Sequence, residues 1–253
     1  MSSEIIHLNL LEKMAEDEEI MRRSEWYINE CNIRKDIPNG WIHATEEGQR
    51  MIVNKYFNDD FMKEIALRQL RSAHRLYPEN QIFRNRLQVR FNRARKGELK
   101  AGDSVPEFMF PLLKDSVNMF VGSSMTWQPF SCYVQVLNDF YIANKDKLNF
   151  FMIYIQEAHT KDEWYIGESA GEIIEEQHKT IEDRKKCIEY FKNKNNIKFP
   201  IHIDDINNTF MNIFASWPVR CFITKGKIIQ HISEPVNGEV DFCKLIQFAL
   251  SLC

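Results

Sequence analysis

The feature that most limits what this chain can fold into is the order of its apolar runs beyond Gly97. Aromatic-rich runs at Phe150–Ile155, Phe199–Ile203 and Arg220–Thr224 have the length and flanking turns of buried strands. Lys227–His231 follows the Lys225-Gly226 turn as a hairpin partner. Between them, Phe130–Ala143, Thr180–Asn195 and Asp205–Phe214 read as helices, and Asp241–Leu252 closes the chain with another. With the apolar stretch ahead of Gly122, the order is βαβ followed by αββα. Strands joined through helices, ending on a hairpin and a helix, make an α/β fold with a mixed central sheet covered on both faces.

Upstream the pattern is different. From Glu4 to Lys96 the spacing is helical, with Pro38-Asn39-Gly40 and Pro78 as punctuation. Ile52, Tyr56, Phe57, Met62, Ile65, Leu70 and Leu76 form an apolar stripe. These features predict an N-terminal helical region over residues 1–98, packing on a main domain over 99–253. The run Arg84, Arg86, Arg90, Arg93, Arg95 and Lys96 reads as a solvated helical face. A net charge of -3 gives no broad basic field, so no nucleic-acid partner is expected. Met1–Met21 lacks an apolar run of signal or membrane-span length, so no membrane partner is expected and the location is read as cytoplasmic. The six cysteines form neither a CxxC pair nor a Cys/His cluster at ligand spacing, and they read as buried free thiols with no metal and no cofactor implied.

Several residues carry chemistry. Glu157 and His159 alternate at the end of a strand, so both side chains share one face, either as an acid–base pair or as a satisfied polar pair capping the strand. His178 precedes a helix that Thr180 caps, with Asp183 placed to complete a capping box. Arg220 enters an apolar strand and needs an anion: a ligand carboxylate, or Glu157 or Asp204. Trp127, Trp164, Trp217 and Tyr154 would wall a cleft suited to a flat organic ligand.

Three segments add a family resemblance. Gly122–Phe130 (GSSMTWQPF) lies at a strand-to-helix turn, where thioredoxin-like proteins hold a reactive chalcogen. Phe151–Trp164 (FMIYIQEAHTKDEW) and Ser216–Arg220 (SWPVR), whose Pro218 precedes a strand as a cis-proline does, complete the set. Together with Gln177-His178 leading into Thr180–Arg184, they resemble the iodothyronine deiodinase family. The resemblance implies a thioredoxin-like domain that reductively removes iodine from a phenolic ring, with His159, His178 and Glu157 handling protons. It assigns Arg220 to the carboxyl or amino acid end of the substrate and Thr126 to the position before the nucleophile; beside them, Pro218, Trp164 and Trp217 are read as substrate-binding residues of the same cleft. A thiol reductant and a homodimer follow from the same resemblance.

The departure lies at the centre. Trp127 stands where the family keeps selenocysteine or cysteine, and Met125 and Gln128 also differ from the pattern. An indole cannot accept a halogen as a thiolate can. If residue 127 is natively selenocysteine or cysteine, the expected reaction is reductive dehalogenation. If tryptophan is genuine, the expected reaction is a non-redox acid–base one, a cyclisation, isomerisation or hydrolysis, on a small aromatic or apolar ligand bearing a carboxylate. The alternative is a non-catalytic small-molecule-binding pseudoenzyme. Cys132 reads as a core-facing, inert thiol.

Overall fold

The computed structural model describes residues 6–37, 39–235 and 240–253; Pro38 lies outside the described residues. The chain divides into two compact units, Met1–Asn92 with Glu163–Ile173, and Arg93–Asp162 with Ile174–Cys253. The division thus falls between Asn92 and Arg93 rather than at 98/99, and an eleven-residue segment from the middle of the chain folds with the first unit.

The first unit is helical: α1 (Leu8–Arg22), α2 (Glu25–Ile33), α3 (Gly40–Tyr56), α4 (Asp60–Leu76), α5 (Gln81–Arg84) and α6 (Leu87–Arg90). Side-chain caps start three of them: Ser24 Oγ accepts from Tyr27 N–H at 3.2 Å, Asp59 from Met62 N–H at 2.9 Å, and Asn80 from Ile82 N–H at 3.0 Å. The helices bury a core of their own. Ile52 and Leu70 lie inside it with Leu11, Met14 and Phe83, and Tyr56, Phe57, Met62 and Ile65 pack against it. Leu76, expected in the same stripe, is exposed.

The basic run is not one solvated helix. It is broken into α5 and α6, and Arg86 is only 2% exposed. Its guanidinium donates to Leu70 O at 2.5 Å and pairs with Glu18. Glu18 also accepts from Arg22 at 2.9 and 3.0 Å and from Gln49 Nε2 at 2.8 Å. Burial pushes the Arg86 guanidinium down to about 10, so it stays charged at neutral pH and depends on that carboxylate. The segment Glu163–Ile173 docks on α2 of this unit: Glu168 N–H donates to Asn32 Oδ1 at 2.7 Å and Ser169 Oγ to Cys31 O at 2.6 Å. Gly167 is required there, because its φ is +62° and an added Cβ would lie 2.1 Å from Asn32 Oδ1.

The second unit holds a five-stranded sheet in the order β3-β2-β1-β4-β5. Its strands are β1 (Val117–Ser123), β2 (Asn149–Tyr154), β3 (Ile201–Ile203), β4 (Val219–Lys225) and β5 (Ile228–Ile232). The β1–β2 and β2–β3 pairs are parallel, while β4 runs antiparallel to β1 and to β5. Its helices are α7 (Gln128–Ser131), α8 (Val134–Asn144), α9 (Ile181–Lys194), α10 (Thr209–Phe214) and α11 (Phe242–Ser251). The predicted α/β fold is realised, and its topology is thioredoxin-like. Phe120 stacks between Phe151 and Phe222 across β2, β1 and β4, with ring centroids 5.3 Å apart on each side.

Two helices differ from the sequence reading for local reasons. The expected Phe130–Ala143 helix breaks at Cys132 and Tyr133 into α7 and α8, so Cys132 is exposed instead of facing the core. The expected Asp205–Phe214 helix begins only at Thr209, because Asp204 accepts from Phe210 N–H and Met211 N–H at 2.9 Å each, and Asn208 is left-handed at φ +61°. The thiols are also less buried than expected: Cys31 and Cys221 are buried, Cys187 is intermediate, and Cys132, Cys243 and Cys253 are exposed.

Candidate functional site

The site lies at the carboxyl ends of β1 and β2, where the parallel register aligns Ser123 with Tyr154 and both chains leave the sheet. Chain ends at such a point expose backbone groups, and here one carboxylate collects them. Glu157, fully buried, accepts from Thr126 N–H at 2.8 Å, from Thr126 Oγ1 at 2.6 Å, from Met125 N–H at 3.4 Å and from the Tyr154 hydroxyl. The proton positions follow from counting. Thr126 Oγ1 already accepts from Ala158 N–H and His159 N–H at 3.0 Å each, so its own hydrogen points to Glu157.

Gln177 clamps the same strand tip, accepting from Glu157 N–H at 3.2 Å and donating to Glu157 O at 3.0 Å. That clamp brings His178 to the rim, where its ring meets Tyr154 edge-on at 5.8 Å. The predicted capping box is present, with Thr180 accepting from Asp183 N–H and Asp183 accepting from Thr180 N–H, and it sets the start of α9. His178 Nδ1 is buried without a hydrogen-bond partner among the described residues. Burial holds the His178 imidazole below its ordinary value, partly offset by the Glu157 charge, so the neutral ring is favoured.

Trp127 stacks on His159 with centroids 5.5 Å apart and planes 19° from parallel. Both are buried, at 5% and 1% exposure. The third expected element converges here too: Trp217-Pro218 is cis, and Ser123 Oγ at the end of β1 donates to Pro218 O at 3.3 Å. Gly122 permits that approach, since an added Cβ would sit 2.7 Å from both Phe210 and Ser216.

An iodothyronine deiodinase family model matches residues 115–240. This part of the chain belongs to the iodothyronine deiodinase family. Solved structures similar to it include a secreted Mycobacterium tuberculosis disulfide oxidoreductase, at 11% identity and TM-score 0.38, over 55% of this chain and 84% of that one. A peroxiredoxin-like protein from Aquifex aeolicus matches at 13% identity and TM-score 0.42, over 62% and 89%. An oxidised thioredoxin-like protein matches at 15% identity and TM-score 0.40, over 62% and 93%. The family match gives this domain redox-type oxidoreductase ancestry, and its thioredoxin-like fold is seen in its own strand order.

Not every predicted residue joins the cluster. Arg220 donates to Lys96 O at 2.7 Å and Arg95 O at 3.4 Å and pairs with Glu234 at 3.4 Å, so its anion is neither Glu157 nor Asp204. Its Nε is buried and without a hydrogen-bond partner among the described residues. Trp164 lies within the matched residues but folds with the first unit, edge-on to Trp41 at 5.7 Å. Cys187, on α9, is a site residue that the sequence does not mark; it lies with Glu157 and His178 and beside the Tyr154 hydroxyl. No spacing rule points to it, because 30 residues separate it from Glu157.

Tyr154 supplies a pH signature. Burial first, then the neighbouring Glu157 charge, raises its phenol well above 10.0. The raised folded value gives stability that is fully present below about pH 10, the unfolded tyrosine's range, and is lost as pH rises beyond it. Tyr154→Phe is therefore expected to cost about 1.5–3 kcal/mol at neutral pH and to flatten the alkaline fall in stability. Denaturant melts between pH 8 and pH 11 check this, and an equally steep alkaline fall in the variant would count against it.

Proposed function

We propose that the deiodinase-family domain, with tryptophan at position 127, is an enzyme running acid–base chemistry on a small aromatic or apolar ligand that bears a carboxylate. The observation that carries this reading is the proton-handling constellation kept around a position without a redox nucleophile. Tyr154, Thr126 and two amides fix Glu157, and His159 lies face to face with the indole. Packing alone gives no reason for a saturated buried carboxylate, since apolar side chains fill the same space at no greater cost. His178, half-buried at the rim, would exchange protons with the ligand. Trp127, Trp217 and Pro218 would supply apolar walls, and Arg220 Nε would hold the carboxylate. Cyclisation, isomerisation and hydrolysis are the reactions such groups perform without electron transfer.

The test is a panel of aromatic carboxylates incubated with the protein and read by mass spectrometry for product. His159→Ala is expected to lower kcat by about 10²–10⁴ while leaving ligand affinity within about twofold. A ligand held tightly with no product from any substrate would instead favour the pseudoenzyme reading.

The second reading is reductive dehalogenation, with residue 127 natively selenocysteine or cysteine, and it is supported by Thr126 and His159, which hold that position's neighbourhood through Glu157 and the stacked ring. In that reaction the thiolate takes the iodine as a sulfenyl iodide and the ring carbon takes a proton. Two equivalents of an external thiol then release iodide and restore the cysteine. Trp127→Cys is expected to gain thiol-dependent iodide release from an iodinated phenol. No iodide above the unsubstituted protein's background would sink that reading.

A further inference from the structure

One carboxylate, one imidazole and one thiol meet at the rim of the strand-tip cluster, contributed by three separate segments. Glu157 comes from the loop three residues after β2, His178 from the loop held by Gln177, and Cys187 from the second turn of α9. Each offers a ligand atom, and these atoms all lie within 4.8 Å of one another. We propose that Glu157, His178 and Cys187 form a zinc site with an open fourth position.

The donor set selects the ion. A thiolate, an imidazole and a carboxylate are the three ligand types zinc accepts in tetrahedral sites, whereas calcium and magnesium take oxygen alone. Charge points the same way: one thiolate and one carboxylate against Zn²⁺ sum to zero, the balance a partly buried site favours. Zinc bonds of about 2.0–2.3 Å place tetrahedral ligands roughly 3.3–3.8 Å apart, so the observed cluster closes on the ion with side-chain movements of about 1 Å.

The surroundings also suit a metal. Glu157 Oε1 holds the Tyr154 hydroxyl and only a long 3.4 Å contact from Met125 N–H, which leaves it capacity for a cation. His178 Nδ1 is a buried imidazole nitrogen with no hydrogen-bond partner among the described residues. Tyr154 and Thr126 orient the carboxylate from behind, as outer-shell groups orient ligands in metal sites. With three protein ligands the fourth position takes water, which zinc activates near neutral pH. The site shares Glu157 and His178 with the proposed acid–base reaction, but its test reads metal occupancy and not turnover.

The experiment uses the full chain, stripped with a chelator and titrated with Co²⁺ and then Zn²⁺. One equivalent of Co²⁺ is expected to produce a near-ultraviolet thiolate-to-cobalt band that Zn²⁺ displaces and that Cys187→Ala abolishes. His178→Ala, which removes a ligand outright, is expected to weaken Zn²⁺ by about 100-fold or more. A second measurement needs no variant. Iodoacetamide labelling followed by peptide mass spectrometry is expected to show Zn²⁺ slowing Cys187 alkylation about tenfold or more, while exposed Cys132, Cys243 and Cys253 react unchanged. No cobalt band at one equivalent, a band that survives Cys187→Ala, or equal Cys187 alkylation with and without Zn²⁺ would each overturn the site.

Discussion

Glu18→Ala is expected to abolish the folded helical unit at ambient temperature. Among the described residues, Glu18 is the single carboxylate paired with the Arg22 and Arg86 guanidiniums, which are only 4% and 2% exposed. With it, the cluster carries one net positive charge; without it, two buried guanidiniums face each other with no anion. Removing one partner from a buried ion pair costs about 3–5 kcal/mol. Here one deletion orphans two cations and the Gln49 amide, against a stability of about 5–15 kcal/mol for a whole domain. Calorimetry on the variant should show the loss, and a melting temperature within a few degrees of the unsubstituted protein would refute the account. The control is the triple change Glu18→Met, Arg22→Met, Arg86→Met. Replacing the entire buried cluster with apolar side chains removes the orphaned charges, so the triple variant is expected to be more stable than Glu18→Ala alone.

The contrast between Arg86 and Thr180 explains what could be read from the sequence. Thr180 and Asp183 lie three residues apart, and their capping box depends only on the local chain, so it was legible. The strand and helix order and the cis-proline corner were legible for the same reason: each is a short-range pattern. Glu157 and His159 lie beyond the last residue of β2, Tyr154, so strand alternation does not set where they point. Arg86 reaches its carboxylate across 68 residues, and within a run of arginines nothing distinguishes the one that turns inward. Arg220 finds Lys96 O across 124 residues, and a backbone carbonyl leaves no mark in the sequence at all. Cys132 was misjudged because the break at Cys132 and Tyr133 resets the helical phase. Cys187 was missed because three ligands on three elements become neighbours only when the α9 cap and the Gln177 clamp are both in place.

Glu157 is the residue where stability and proposed chemistry are expected to fail together, and its two substitutions should separate them. Glu157→Ala leaves the Thr126 hydroxyl and amide, the Met125 amide and the Tyr154 hydroxyl, all on buried residues, without their acceptor. The expected cost is about 3–5 kcal/mol, enough to lower the melting temperature of the deiodinase-family domain by more than about 10 °C. Glu157→Gln keeps one oxygen, and the cheaper arrangement turns that oxygen toward Thr126, which supplies both an amide and a hydroxyl donor to the same position. The amide NH₂ then faces Tyr154, whose hydroxyl can rotate to accept. Glutamine is therefore expected to cost only about 1–3 kcal/mol and to leave a folded domain that cannot carry a proton at this position. Under the acid–base reading it should bind ligand and fail to turn it over; under the pseudoenzyme reading it should bind as the unsubstituted protein does, with no activity to lose. Equal destabilisation by alanine and glutamine would mean that hydrogen bonds from Thr126 and Tyr154 are not what hold the strand tip, and the account of the site would fail at its base.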